Sequence, residues 1–78
     1  MEEYRERYRM LGLRIAFYRK KAGLTQEDFS NLVGCSMGFL SRIEANNGKK
    51  VAGISLPMLF RMADVLHVSV CDFLDDRI

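Results

Sequence analysis

The residues best placed to make specific polar contacts lie in the stretch GCSMGFLSRIEA, residues 34 to 45. Leu40 and Ile43 stand three positions apart, and at about 3.6 residues per turn this spacing predicts a short helix with one apolar side. The opposite side carries one long side chain that donates hydrogen bonds, Arg42. Its guanidinium can bind two acceptor atoms through parallel hydrogen bonds. The other residues around that side are small or apolar: Ser36, Met37, Gly38, Phe39, Ser41 and Ala45.

Residues that would support catalysis or metal binding do not occur together in the sequence. No nucleophile–base pair and no pair of carboxylates stands out. Cys35 and Cys71 form no Cys-x-x-Cys pair, and the single histidine, His67, has no partner at the spacing of a zinc ligand. We therefore expect no enzymatic activity, no metal or other cofactor, and no small-molecule ligand. We interpret both cysteines as small buried hydrophobes, with a redox switch as the alternative.

Charge is unevenly distributed along the chain. Residues 5 to 50 contain ten Lys and Arg against four Asp and Glu, which gives +6, whereas residues 51 to 78 contain two Arg against four Asp, which gives −2. With the two glutamates at the start, the net charge is +2. Such polarity suits a molecule that turns one face towards a polyanion.

A length of 78 residues, of which 49% are hydrophobic, predicts a single domain over residues 1 to 78. No apolar run approaches the roughly 20 residues of a bilayer crossing, and the charged start EEYRERYR differs from a signal peptide. We therefore expect a soluble cytoplasmic protein without membrane contact.

Apolar spacings of three and four predict five helices. The first runs from about residue 2 to 21 and ends at Gly23. Thr25 starts the second as N-cap, Asp28 completes a capping box, and Gly34 ends the helix. The first helix has the stripe Tyr4, Tyr8, Leu11, Ile15 and Tyr18, and the second has the inner face Phe29, Leu32 and Val33.

Serines mark the starts of the other three predicted helices. Ser36 starts the third helix, which reaches about Ala45, and the polar loop 46 to 54 follows it. Ser55 and Ser69 start the fourth and fifth helices. Their apolar positions are Leu56, Leu59, Met62, Ala63 and Leu66 in the fourth, and Val70, Phe73 and Leu74 in the fifth.

The second and third helices, with their tight turn, have the proportions of a helix-turn-helix. The segment LTQEDFSNLVGCSMGFLSRIEA resembles the DNA-binding unit of the Cro/repressor-like, or xenobiotic-response-element, family. LGLRIAFYRKKAGLTQ resembles the family's first helix and ISLPMLFRMADVLHVSVCDFL its fourth and fifth, so the similarity covers about residues 11 to 74. The resemblance implies an all-α, five-helix lambda-repressor-like domain, with an extended first helix, that binds double-stranded DNA.

The resemblance also implies where the DNA backbone lies. Thr25 and Gln26 begin the second helix, where free amide hydrogens and the positive helix end favour a phosphate. Further phosphate contacts are expected from the loop residues Asn46, Asn47, Lys49 and Lys50. Arg19 and Glu44 occupy the positions of an ion pair between the first and third helices. We interpret this pair as structural, with a DNA contact of Arg19 as the alternative.

In the family the third helix enters the major groove. The expected base-reading residues are Ser36, Met37, Gly38, Ser41 and Arg42. Arg42 suits guanine and Met37 a thymine methyl group. Gly38, at a cost of up to about 1 kcal/mol of helix stability relative to Ala, permits close approach of the backbone. Relatives often carry Arg, Gln or Ser where this chain has Met37 and Gly38, so the base preference stays open. The alternatives are that Arg42 is a solvated surface residue and that Phe39 is a packing residue.

Members of this family usually dimerise on a palindromic operator through the last helix. The corresponding apolar patch is Val68, Val70, Phe73, Leu74 and Ile78, and the alternative is that most of these residues close the core of the monomer. Tyr4 and Tyr8 extend the first helix beyond the family's usual start, and they either cover the core or form a second interface.

These features predict a small sequence-specific transcriptional regulator, a repressor that acts as a homodimer on a palindromic operator. The alternative is a protein-interaction module on the same scaffold with degraded DNA reading, such as an antitoxin or a partner-binding regulator. The basic segment from residue 5 to 50 favours the DNA-binding function. The side of the third helix that carries Arg42 as its one long hydrogen-bond donor favours a protein partner.

Overall fold

The computed structural model describes residues 4–45 and 53–75 of the chain. Five helices and no strand occur in these stretches, so the predicted all-α fold is confirmed. The helices are α1 (Arg5–Lys21), α2 (Gln26–Val33), α3 (Met37–Glu44), α4 (Leu56–Leu66) and α5 (Val70–Leu74). In the described part of the chain, no helix combines the length and the apolar character that a bilayer crossing requires.

α1 ends in a pair of backbone hydrogen bonds that suit a glycine. The N–H of Gly23 donates to the carbonyl of Lys20 at 2.9 Å, and the N–H of Leu24 donates to that of Arg19 at 3.1 Å. Gly23 has a φ of +78°, in the left-handed region that glycine adopts without a steric penalty. Gly23 therefore ends α1 as predicted and directs the chain into α2.

A hydroxyl residue begins each of the last four helices, as predicted. Its side-chain oxygen accepts a hydrogen bond from a backbone N–H two or three residues later and so satisfies one of the free donors of the first turn. The pairs are Thr25 with Asp28, Ser36 with Phe39, Ser55 with Met58 and Ser69 with Cys71. Thr25 and Ser69 also form capping boxes.

All five helices contribute to one hydrophobic core. α1 packs on α3 and α5, α2 packs on α3 and α4, and α4 packs on α5. The buried apolar residues are Leu11, Ile15, Phe29, Val33, Leu40, Ile43, Leu59, Met62, Ala63, Leu66 and Phe73. Burial of these side chains, at about 25 cal/mol per Å² of apolar surface, is the main force that holds the short helices together.

Three residues predicted to face inwards lie at the surface. Leu32 is 58% exposed, because Ser30 takes the buried position beside Phe29 and Val33. Ser30 tolerates burial since its hydroxyl donates to the carbonyl of Glu27 at 2.9 Å. The other two are Leu56, 63% exposed in the first turn of α4, and Cys71, on the exposed side of α5. Cys35 is half-buried, and burial raises the pKa of its thiol.

α1 and α3 cross with their backbones in contact. Gly12 of α1 is buried, and a Cβ at this position would overlap the carbonyl oxygen of Ile43. Only glycine allows this approach without displacing α3. The close approach at Gly12 is not predicted by the apolar spacing, although a glycine inside a helical pattern is the available signal.

Candidate nucleic-acid interface

The turn between α2 and α3 determines the direction in which α3 projects. Gly34 adopts a φ of +79° and donates its N–H to the carbonyl of Ser30 at 2.9 Å. Arg61 of α4 donates through Nη1 to the carbonyl of Val33 at 2.8 Å. These contacts satisfy free carbonyls at the end of α2 and hold the turn against α4.

One side of α3 is open to solvent along its length. Leu40 and Ile43 lie on the other side and are completely buried, at 0% and 1% exposure. The structure brings the five residues predicted to read bases together on the exposed side: Ser36, Met37, Gly38, Ser41 and Arg42. Phe39 is half-buried and packs against the core, so it lies outside this exposed set.

Gly38 has no structural role within the described fold. Apart from its chain neighbours and the backbone of α3 itself, a Cβ at this position would meet only Nη1 of Arg42 at 4.0 Å, which is an ordinary contact with a flexible side chain. Its backbone is helical, with no positive φ. An alanine would therefore fit and stabilise the helix, in contrast to the buried Gly12.

A buried ion pair fixes the end of α3 on α1. Nε and Nη2 of Arg19 donate to the two carboxylate oxygens of Glu44 at 2.7 and 3.0 Å. The side chains of the two residues are only 9% and 6% exposed. Nη1 of Arg19 donates to the carbonyl of Leu24 at 2.8 Å, and Nε2 of Gln26 donates to Glu44 at 2.9 Å. The network thus joins α1, the turn after it, α2 and α3.

The start of α2 offers two hydrogen-bond donors beside two negative charges. The hydroxyl oxygen of Thr25 accepts from the N–H of Asp28 at 3.0 Å, which leaves the hydroxyl hydrogen available. Gln26 uses one amide hydrogen on Glu44 and keeps a second one. Glu27 and Asp28 are exposed in the same turn, where they already interact with the positive helix end.

Other predicted contact residues fall outside the interface or outside the described residues. Asn46, Asn47, Lys49, Lys50 and Ile78 lie in the stretches that are not described. Phe73 is fully buried and packs edge-on against Tyr18 with ring centroids 6.0 Å apart. Its assignment to a dimer interface is therefore wrong, because α5 uses this side chain to close the core.

The rest of the predicted α5 patch is small. Val68 and Val70 are half-buried and pack against the core, while Leu74 is 59% exposed. At the other end of the chain, Tyr8 is half-buried and Tyr4 is 45% exposed.

The profile of the helix-turn-helix family matches residues 15–73. The structure of SinR, the master regulator for biofilm formation, has been solved in complex with DNA. The SinR sequence in that structure is 34% identical to this chain, and the two structures superpose with a TM-score of 0.73 over 83% of this chain and 98% of that chain. The complex of SinR with SinI is 33% identical, with a TM-score of 0.74 over 86% of this chain and 62% of that chain. SinR is a protein of Bacillus subtilis.

The restriction-modification controller protein C.AhdI from Aeromonas hydrophila superposes with a TM-score of 0.74 over 85% of this chain and 94% of that chain. Its identity is 21%, so this likeness shows the fold alone. No curated protein is a significant match to the sequence. The chain belongs to the helix-turn-helix family, of the Cro/repressor-like (xenobiotic-response-element) type, and has the fold of its DNA-binding transcriptional regulators.

Proposed function

We propose that this protein binds double-stranded DNA sequence-specifically and acts in the cytoplasm as a small transcriptional repressor, without enzymatic activity. The observation that carries the proposal is the exposed side of α3, where Arg42 stands among small residues and Gly38 has no packing role. A helix of this shape fits the major groove with its backbone close to the base edges. The likeness to SinR in complex with DNA supports the same ligand.

On this proposal the exposed residues of α3 have distinct roles. Arg42 donates two hydrogen bonds to O6 and N7 of a guanine, and Met37 contacts a thymine methyl group. Ser36 and Ser41 donate to base edges or phosphates, and Gly38 lets the helix approach. Phosphates are contacted by Thr25, Gln26, Asn46, Asn47, Lys49 and Lys50, of which the two lysines give affinity that falls as salt rises.

Selective binding requires two copies of the domain on one operator. A mismatched base pair costs roughly 1–3 kcal/mol, and one long donor per domain gives few such contacts. A dimer on a palindrome doubles them, with half-sites about one helical turn, or roughly 34–36 Å, apart. Occupation of such an operator blocks transcription without a bound effector.

Replacement of Arg42 by alanine tests the proposal. We expect the unmodified protein to enrich one palindrome from random duplex DNA and Arg42→Ala to lose preference at one base pair of each half-site, by about 1–3 kcal/mol. Binding to variant sites is measured by fluorescence anisotropy at fixed salt. Lys20→Ala removes an exposed cation from α1 and should weaken all sequences equally or not at all. Equal losses in the two variants on every sequence would contradict base reading by Arg42.

The second candidate function is docking of a protein on the same side of α3. Met37 is 51% exposed, a large apolar side chain that a protein partner would cover, and the SinR–SinI complex shows a relative of this chain bound to another protein. A selection that enriches no duplex, with weak binding that disappears steeply as salt rises, would favour this function over DNA reading.

A further inference from the structure

The start of α3 follows the end of α2 through a short connection. α2 ends at Val33 and α3 begins at Met37, so residues 34 to 36 connect them. The opposite end of α3 is held by the Arg19–Glu44 pair. A change in the backbone angles of the connection therefore moves chiefly the start of α3, where three of the proposed base-reading residues lie: Ser36, Met37 and Gly38.

The carboxyl end of α2 depends on a residue of α4. An α-helix leaves its last carbonyls without donors of its own, and the partial negative charge at that end favours a cation. The last turn of α2 has no basic residue. Arg61 of α4 supplies the cation, since its Nη1 donates to the carbonyl of Val33 at 2.8 Å. A hydrogen bond from a charged donor is roughly twice as strong as one between neutral groups.

The same guanidinium also lies beside Gly34, the first residue of the connection. A Cβ at position 34 would be 3.4 Å from Nη1 of Arg61, so the guanidinium packs where most residues would carry a side chain. The N–H groups of Gly34 and Cys35 both donate to the carbonyl of Ser30, at 2.9 and 3.0 Å. Bonds from α2 on one side and the guanidinium on the other therefore enclose the backbone of the turn.

α4 is a fixed support for this contact. Its residues Leu59, Met62 and Ala63, on either side of Arg61 in the sequence, are buried in the core, and closely packed side chains resist displacement. Arg61 itself is exposed, so the core does not require it. Its contacts with the turn are therefore separable from the packing of α4.

We propose that Arg61 is a positioning residue for base reading by α3. The proposal rests on the proposed function and identifies a residue that determines specificity without contacting a base. Arg61 acts through the turn: it holds the carbonyl of Val33 and packs on Gly34, and so fixes the direction in which the start of α3 enters the groove. Without it, the turn samples other backbone angles, and Met37 and Gly38 meet the base edges less selectively.

The alternative role of an exposed arginine in a DNA-binding domain is a direct phosphate contact, and the two roles differ in salt dependence. Each phosphate contact contributes about 0.9 to the slope of log affinity against log salt, and its loss weakens binding to all sequences about equally. Loss of a positioning residue leaves that slope unchanged and reduces the difference in affinity between the operator and unrelated DNA.

Fluorescence anisotropy of Arg61→Ala on the selected palindrome and on an unrelated duplex, at several salt concentrations, tests the proposal. We expect the ratio of the two affinities to fall roughly threefold to tenfold, because base contacts are weakened rather than lost, with an unchanged salt slope on the unrelated duplex. Arg61→Lys keeps a charged donor and should recover most of the ratio. Ser69→Ala removes a helix cap from α5, lowers stability away from the turn, and should leave the ratio unchanged.

The thiol of Cys35 reports on the same turn without DNA. Cys35 is half-buried and packs against the core, so its reaction with a chromogenic disulfide reagent requires the turn to open. In a Cys71→Ser background, where Cys35 is the one thiol left, Arg61→Ala should react at least about threefold faster than the parent. Ser69→Ala should react as the parent does, since its loss of stability lies in α5.

The two measurements separate this proposal from the proposed function. An unchanged affinity ratio, a uniform loss with a salt slope smaller by about 0.9, or equal thiol rates in Arg61→Ala and Ser69→Ala would each overturn the role of Arg61 while DNA reading by α3 stands. If the unmodified protein binds no DNA selectively, the proposed function fails, and the thiol rates still decide whether Arg61 holds the turn.

Discussion

At the scale of single residues, Gly38 is a position where helix stability and ligand binding favour different side chains. Its helix would be more stable with alanine, and the described structure has open space for the methyl group. On the proposed function, the glycine lets α3 approach DNA closely. Arg42, whose guanidinium is the neighbour of that space, is the residue that a closely approaching DNA groove would meet.

Gly38→Ala should consequently move stability and binding in opposite directions. We expect the free energy of unfolding to rise by up to about 1 kcal/mol, because alanine has the higher helix propensity. DNA affinity should fall, because the methyl group keeps α3 away from the bases. Urea unfolding and fluorescence anisotropy measure the two effects. Tighter or unchanged binding would show that α3 does not approach DNA through Gly38.

At the scale of helices, the crossing of α1 and α3 depends on a different glycine. Gly12 allows the backbones to touch, since a Cβ there would overlap the carbonyl oxygen of Ile43. The α3 backbone cannot move aside easily, because Leu40 and Ile43 fill the core and Glu44 is held by Arg19.

Gly12→Ala should therefore destabilise the protein by about 1–3 kcal/mol, as overpacking of a core does, despite the gain in helix propensity. Gly38→Ala is the matched control, because it makes the same substitution in a helix without the contact. The midpoint of urea unfolding should move down for the first variant and up for the second. A rise in both would mean that the two helices separate without cost.

At the scale of the whole molecule, the Arg19–Glu44 pair orients the DNA-binding unit. It joins α3 to α1, while Gln26 joins α2 to the same carboxylate. On the proposed function, this network would hold α3 at a fixed angle to the rest of the domain.

Glu44→Ala should cost about 3–5 kcal/mol of stability, because it leaves the buried Arg19 without its counter-charge. Glu27→Ala, which removes an exposed carboxylate from α2, should change stability by less than about 0.5 kcal/mol. The double variant Arg19→Leu, Glu44→Leu should recover most of the loss. Thermal melting by circular dichroism measures all three. Equal losses for the two glutamates would contradict a buried pair.

The ends of the helices were decided by the sequence alone. Each of the four hydroxyl N-caps, at the starts of α2 to α5, joins groups two or three residues apart. Gly23 and Gly34 take a backbone conformation that most other residues avoid. Such signals act locally and can be read without a fold. An exception is His67, which ends α4 at a φ of 57° without a glycine to mark it.

Which apolar residues turn inwards was decided only by the tertiary structure. Periodicity shows that residues share one side of a helix, but not whether another helix covers that side. Leu32 was therefore predicted to be buried and is exposed, while Phe73 was assigned to a partner and lies in the core. The exposure of Leu13 and Phe17 on α1 and the contact at Gly12 cannot be predicted for the same reason, because they depend on which helices lie beside α1 and which side is left uncovered.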